Sequence, residues 1–337
     1  MTLLSIAIPT FNRDKMLFHN LSRLLSYTLS AVEIVVCDNC SLDSTESICK
    51  KLALEFKNFK YFRNNKNEGY DKNVLNCIFK SSGEYVWFLG DDDFLEKEHI
   101  EKVLRSIKSI NPYGILINAA VFAEGSNRVI IENLGRIDQD FIIKCDSNVF
   151  IKHIKWSTLI SSIIIKRNII DTAHAKLLVG SCFIQLSIFW YNLYNKDILL
   201  IGSSRIIKND ISSTNFGIKN SEIWFVNWIK AVYSLEQVYG KRACKNAATT
   251  LYGPLFFSNN SIFLHVFMAK IELKRKKINF DEIIAKLSLN CGYKILLKII
   301  ILAPSFLLKT LLLILKAIRN LLNANQNFIN HFSRKKF

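Results

Sequence analysis

The stretch Gly83–Asp93 reads GEYVWFLGDDD, an apolar run that passes straight into three adjacent carboxylates. Tyr85 to Leu89 shows no polar alternation, which is the pattern of a strand covered on both faces, as in a parallel sheet. Asp91, Asp92 and Asp93 repel one another. A chain seldom ends a buried strand on three like charges without a counter-charge, and the usual one is a divalent cation shared with a phosphate group. One short segment therefore constrains both the kind of sheet and the kind of ligand.

The rest of the first ~120 residues repeats the pattern, with short apolar runs alternating with helical ones. Leu3–Pro9 is the first run, and Leu17, Leu21, Leu24 and Leu25 mark the helix behind it. Val32–Cys37 precedes a helix over Ser44–Phe56, and Phe59–Arg63 precedes one over Asp71–Ser81. Tyr85–Leu89 is followed by a helix over Glu98–Ser109 and a strand over Ile115–Phe122. Beyond these, Trp156–Lys166 reads as a strand and Cys182–Tyr194 as a buried aromatic helix. Ligands of open α/β sheets bind at the carboxyl ends of the strands. Three polar clusters fall there: Pro9–Arg13, Cys37–Ser41 and Asp91–Asp93. Each was placed by its own strand, so their coincidence outweighs any single motif.

Those residues carry a resemblance. Ile8–Arg13, Val35–Thr45, Asn67–Asn73 (NEGYDKN) and Gly83–Asp93 are similar to the motifs of family 2 glycosyltransferases, and the WFLGDDD form is most similar to the abequosyltransferase-like branch of bacterial polysaccharide enzymes. The match covers residues 1 to about 110 and fades beyond 170. It implies a GT-A nucleotide-diphospho-sugar transferase fold, Rossmann-like and α/β with a mostly parallel sheet. Residues 1–215 would form the catalytic domain, with a nucleotide-sugar half (1–110) and an acceptor half (111–215); residues 216–337 would form a helical basic extension. The implied activity is inverting transfer of a hexose or deoxyhexose from a nucleotide-diphosphate donor to a saccharide hydroxyl, in O-antigen or capsule synthesis. By the same resemblance, Pro9, Thr10, Asn12 and Arg13 line the base and ribose pocket. Asp38, with Asn39 beside it, accepts from the nucleobase. Asn67, Gly69 and Asn73 shape the floor under the diphosphate, and Lys72 is a candidate phosphate ligand. Asp91 faces the ribose, and Asp93, with Asp91, holds Mg²⁺ or Mn²⁺ bridging the phosphates. Read only as residues, the carboxylates could also be a solvated helix-capping turn, Asp38-Asn39 an Asx turn and Lys72 a solvated lysine.

The acceptor half departs from the pattern. The general base expected near Val179–Trp190 is missing, because VGSCFIQLSIFW contains no carboxylate. Asp171, Asp197 and Asp210 are the nearest substitutes, each better suited to the surface, so the base has no assigned residue. Cys37-x-x-Cys40 has no second pair at zinc spacing, and the six histidines are scattered, so neither suggests a metal site. The glycine-rich loop that a sugar-nucleotide pyrophosphorylase needs after its first strand is replaced here by PTFNR.

Charge divides the chain. Net charge is +17. Residues 1–110 are neutral, with 15 basic and 15 acidic side chains, whereas residues 216–337 hold 19 against 5, and no acid follows Glu282. Tyr293–Leu322 is apolar but broken by lysines, and its longest uncharged run, Ile299–Leu308, covers 10 residues, too few to span a bilayer. On a helix, Lys294, Lys298, Ser305, Lys309, Lys316 and Arg319 share one side, as in helices that lie on anionic membranes, and Pro304 should split or kink it. A core helix with outward lysines is the plainer alternative. Sparse aromatics in this tail argue against nucleic acid. The expected partners are thus a nucleotide-diphospho-sugar, an undecaprenyl-diphosphate-linked saccharide and an anionic membrane surface. Eight cysteines without framework spacing and no basic leader at Met1–Ile6 suggest a cytoplasmic protein, peripheral on the inner face of the membrane. An inactive glycosyltransferase relative that only binds membranes is the alternative function.

Overall fold

The apolar runs become strands whose side chains are buried on both faces. The computed structural model describes residues 2–27, 29–123, 129–210, 222–252 and 278–304, together with Ile262, Val266, Ala269, Lys270 and Thr310. Strands β1 (Leu4–Thr10), β2 (Val32–Asp38), β3 (Phe59–Arg63) and β4 (Tyr85–Phe88) pair in parallel in the order β3-β2-β1-β4. Helices α1 (Asp14–Ser26), α2 (Thr45–Glu55) and α3 (Tyr70–Lys80) make the crossovers that parallel pairing requires. Helix α1 buries Leu17, Leu21, Leu24 and Leu25, the stripe its spacing predicts.

The sheet continues past β4 with mixed polarity. After β5 (Asp93–Phe94) and α4 (Lys97–Ile110) come β6 (Gly114–Ala123), β7 (Val129–Ile131) and β8 (Phe141–Lys144). Then follow α5 (Ser147–His153), β9 (Ile163–Lys166), α6 (Thr172–Lys176), α7 (Ile184–Leu186) and β10 (Asp197–Asp210). β9 runs antiparallel between β4 and β6, whereas the long β6–β10 ladder is parallel. Parallel ladders therefore make up most of the paired length of a mixed α/β sheet.

Two expectations need correction. Only Ile163–Lys166 of the segment Trp156–Lys166 is a strand; 156–158 and 160–162 form tight 3₁₀ turns. The hydroxyls of Ser157 and Ser162 explain this locally, since they donate to the carbonyls of Ile154 and Leu159, three residues back, and compete with a ladder. In the segment Cys182–Tyr194, α7 passes into a π-helical turn at Ser187–Tyr191, with Phe189 and Trp190 fully buried.

Two compact units are present. Met1–Gly217 and Asn227–Leu251 form one, and Ile218–Val226 with Tyr252–Phe337 form the other. Residues 227–251 thus belong to the first unit, not to the extension expected from 216 onward. Helices α8 (Trp228–Tyr233), α9 (Glu236–Tyr239) and α10 (Lys241–Thr249) lie there, and the Trp228 indole donates to the Ala248 carbonyl at 2.8 Å. In the second unit, α11 (Phe280–Ala285) and α12 (Cys291–Leu302) are capped by the side chains of Asn279 and Asn290. The Lys270 ammonium meets the carbonyls of Ile300, Ile301 and Ala303, neutralising the negative helix end just before Pro304 stops it. The remainder of the expected 293–322 segment, residues 305–309 and 311–322, lies outside the described residues.

Candidate functional site

The carboxyl ends of β1, β2 and β4 open onto three loops that bind one another. Asn12, at φ 53°, donates its amide to the Ser41 hydroxyl at 2.9 Å and accepts from the Leu42 amide at 2.8 Å. Asparagine tolerates this left-handed conformation better than most residues. The Asn39 amide donates to the Thr10 carbonyl at 2.9 Å, and buried Asn73 reaches the Cys37 carbonyl at 2.7 Å from the first turn of α3. Asn39 also accepts from Asn64 and the Glu68 amide while donating to Asn67. Asn67 accepts the Gly69 amide, and Gly69 holds φ 86°, where a side chain would be strained. An asparagine lattice therefore ties the NEGYDKN segment to the loop after β2.

The three aspartates separate by environment. The Thr10 hydroxyl donates to Asp91 at 2.8 Å, which ties the acidic turn to β1. Burial, with the Asp92 charge adding to it, pushes the Asp91 carboxyl up to about 7; the Thr10 hydrogen bond and Arg13 only partly oppose this. Asp92 is a quarter exposed and stands 3.8 Å from the Arg13 guanidinium. Asp93 is buried. Its carboxylate accepts from the Ser161 hydroxyl, its carbonyl accepts from Asn20 at 2.7 Å, and its backbone starts β5 against Lys208 of β10. Ser161 in turn accepts the Gly90 amide at 2.8 Å.

Asp93, expected as the main metal ligand, is 2% exposed and gives one carboxylate oxygen to Ser161, whereas Asp91 and Asp92 are half-buried in the turn before it. Asp38 differs as well. It is fully buried, accepts from the Ser41 amide at 2.9 Å and the Tyr61 hydroxyl at 2.7 Å, and lies 3.5 Å from Arg63. Protein donors occupy it where a nucleobase was expected, so it braces the pocket wall. Lys72 is exposed on α3, outside the buried network.

Hard carboxylate oxygens suit Mg²⁺ or Mn²⁺. Among the described residues no three His, Cys, Asp or Glu side chains converge on one point. Two carboxylates agree with a Mg²⁺ ion that keeps waters and binds substrate phosphates, rather than sitting in an all-protein cage.

Sequence reasoning missed the residues that hold the site. Ser161 lies in a segment misread as strand, and Asn20 on a helix read only for its leucines. Asp71 was part of NEGYDKN but had no role. It is 3% exposed and accepts the amides of Gly180 at 2.7 Å, Cys182 at 2.9 Å and Ile184 at 3.3 Å. It thereby anchors the segment where a general base was expected. Of the suggested substitutes, Asp171 caps α6 through the amides of Ala173 and His174, Asp197 begins β10, and Asp210 ends it.

Residues 5–156 match the family model described as glycosyl transferase family 2. Over 93 residues the chain is 38% identical to the Campylobacter jejuni GalNAc(5)-diNAcBac-PP-undecaprenol β-1,3-glucosyltransferase, covering 27% of this chain and 30% of that protein. Over 102 residues it is 34% identical to the Salmonella typhimurium abequosyltransferase RfbV, covering 29% and 30%. The match thus spans about a third of the length of these relatives. In three dimensions the chain superposes on Staphylococcus aureus TarS 1–349 in complex with UDP with a TM-score of 0.58 at 14% identity, covering 81% of this chain and 83% of that one. That likeness is one of fold.

Proposed function

On the premise that residues 5–156 form a glycosyl transferase family 2 domain, we propose that this protein is a glycosyltransferase. It moves a hexosyl or deoxyhexosyl group from a nucleotide-diphosphate donor to a hydroxyl of a lipid-linked saccharide, during bacterial surface polysaccharide synthesis such as O-antigen or capsule. The observation that carries the reading is the pairing of Asp91 with Thr10 beside the partly exposed Asp92–Arg13 pair, at the strand ends. Names of the relatives support the acceptor class: one acts on an undecaprenol-linked oligosaccharide, another transfers abequose.

In this reading Pro9, Thr10, Asn12 and Arg13 line the nucleoside pocket, and Asn39, Asn67, Gly69 and Asn73 keep the diphosphate floor rigid. Asp91 and Asp92 would hold Mg²⁺ or Mn²⁺. When bound, that ion stabilises the charge developing on the departing diphosphate. Without it, the protein's own contribution is preorganisation: Thr10 orients Asp91, Arg13 restrains Asp92, and buried Asp93 holds the turn to Ser161. Inversion by direct attack of the acceptor hydroxyl is the proposed outcome.

The enzyme is proposed to work on the inner face of the cytoplasmic membrane, where a lipid carrier presents its acceptor. Among the described residues no helix is long and apolar enough to cross a membrane. The decisive experiment is a thermal-shift panel of UDP, CDP, GDP and dTDP with Mn²⁺, followed by an assay of diphosphate release. One nucleotide should stabilise the protein, and release should need the metal. No stabilisation by any of the four would overturn the reading.

A further inference from the structure

Helix α12 (Cys291–Leu302) presents two unlike faces. Leu297 and Ile300 are buried. On the other side Ile295 is 55% exposed, Ile299 58% and Leu302 82%. At 100° per residue these three fall within about 60° of one another. Lys298, exposed, and Lys294, half-buried, flank them on one edge, and Leu296 lies on the other. A surface helix that ends at water normally carries polar residues on this face.

We infer that the Ile295–Ile299–Leu302 face of α12 docks on an anionic lipid leaflet, with Lys294 and Lys298 at the phosphate level. Charge decides the occupant. From Lys286 onward the chain carries nine Lys or Arg and no Asp or Glu. Aliphatics that enter the acyl boundary, beside lysines that reach headgroups, match a leaflet rich in acidic lipid. A second copy would oppose basic faces, since this segment offers no acidic complement. Nucleic acid would call for exposed aromatics between the basic residues, and the only aromatic of α12 is half-buried Tyr293. The helix therefore lies in the interface, consistent with the lack of a membrane-crossing helix among the described residues. The inference deepens the proposed function by naming the surface that brings the enzyme to a lipid-linked acceptor.

Flotation of the full chain on vesicles tests it, using phosphatidylcholine alone and phosphatidylcholine with about 30% phosphatidylglycerol. Binding should favour the anionic vesicles and weaken with salt. Ile295→Glu with Ile299→Glu should lower it about tenfold or more. Lys294→Gln with Lys298→Gln should lower the preference for anionic lipid by about fivefold per lysine. Ile295, Lys298 and Ile299 are exposed and Lys294 is half-buried, and nucleotide-induced thermal shifts should stay as in the parent, so failure here is separable from failure of the enzymatic reading. Equal flotation on both vesicle types, none on either, or flotation unchanged in both variants would overturn the inference. So would a concentration-dependent dimer that the glutamate variants abolish, because a second copy would then own the face.

Discussion

A lone carboxylate, Glu33, and the Asp91–Asp93 cluster sit at opposite ends of the same parallel strands, and the protein treats them in opposite ways. At the amino ends, Glu33 accepts from Ser5 at 2.5 Å, from Lys60 and the Ser82 amide at 2.6 Å, and from the Ser82 hydroxyl at 2.7 Å. Burial alone would raise its pKa, but the donation from Lys60, Ser5 and Ser82 holds it down to about 2. At the carboxyl ends, burial and the Asp92 charge push Asp91 up to about 7. Both groups are carboxylates near strand termini; what separates them is supply of donors. A satisfied carboxylate is structure, and an undersupplied one is a place for a ligand to complete.

The sharpest way to break this comparison is to remove one carboxylate from the open end. Asp92→Ala should cut metal-dependent diphosphate release by a factor on the order of 10²–10³, the usual cost of losing a charge-stabilising group at a reacting centre, with little change in melting temperature. Asp93→Ala should behave the other way, lowering the melting temperature because its buried contacts to Ser161 are lost. If the two variants lose activity alike at unchanged stability, the separation of an open pair from an internal aspartate is wrong.

Asp71 extends the comparison to a third carboxylate, satisfied by backbone. Burial raises its pKa, and the amides of Cys182, Ile184 and Gly180 work against that. Asp71→Ala takes the acceptor from the amides of Gly180, Cys182 and Ile184, of which only the last is buried, and should cost about 2 kcal/mol in urea unfolding. Nucleotide-induced stabilisation should persist, since the asparagine lattice does not use this side chain. Loss of nucleotide binding together with intact stability would place Asp71 with the open cluster instead.

Glu33→Gln tests the closed end. It should cost about 2 kcal/mol at neutral pH by weakening donations from Lys60 and Ser82. The pH dependence has a definite sign. Because the folded pKa is lowered from 4.5 to about 2, the stability that Glu33 contributes is complete above about pH 4.5 and is lost as pH falls towards 2. The difference between parent and variant should therefore shrink over that interval. A constant difference would show that Glu33 acts by shape alone.

Legibility in the sequence followed the same division. The open cluster was visible because three adjacent carboxylates after an apolar run violate a local rule, and β1 to β4 were visible because doubly covered strands are continuous apolar runs. The satisfied groups broke no local rule: Glu33 is one acid within VEIVVCD, and its donors arrive from β1, β3 and the turn before β4. Asp93 was assigned to the metal because adjacent aspartates look alike until Ser161, 68 residues away, distinguishes one of them. The 156–191 region failed for a different reason. Its serines bond locally and its π-helical turn has no period that apolar spacing reveals.

Ser161 itself carries the finest test of where the open end stops. Its hydroxyl donates to Asp93 and accepts from Gly90, so it couples the start of the acidic turn to its last member. Ser161→Ala removes that link while leaving Thr10–Asp91 and Arg13–Asp92 in place. The expected loss of stability is about 1–2 kcal/mol, the scale of a buried hydrogen bond to a charged group. Nucleotide-induced thermal shifts should change little if the turn is held chiefly from β1. A large fall in nucleotide response would instead mean that the acidic turn is positioned from the 156–162 segment. The boundary between the open and the buried carboxylates would then run through Asp92 rather than between Asp92 and Asp93.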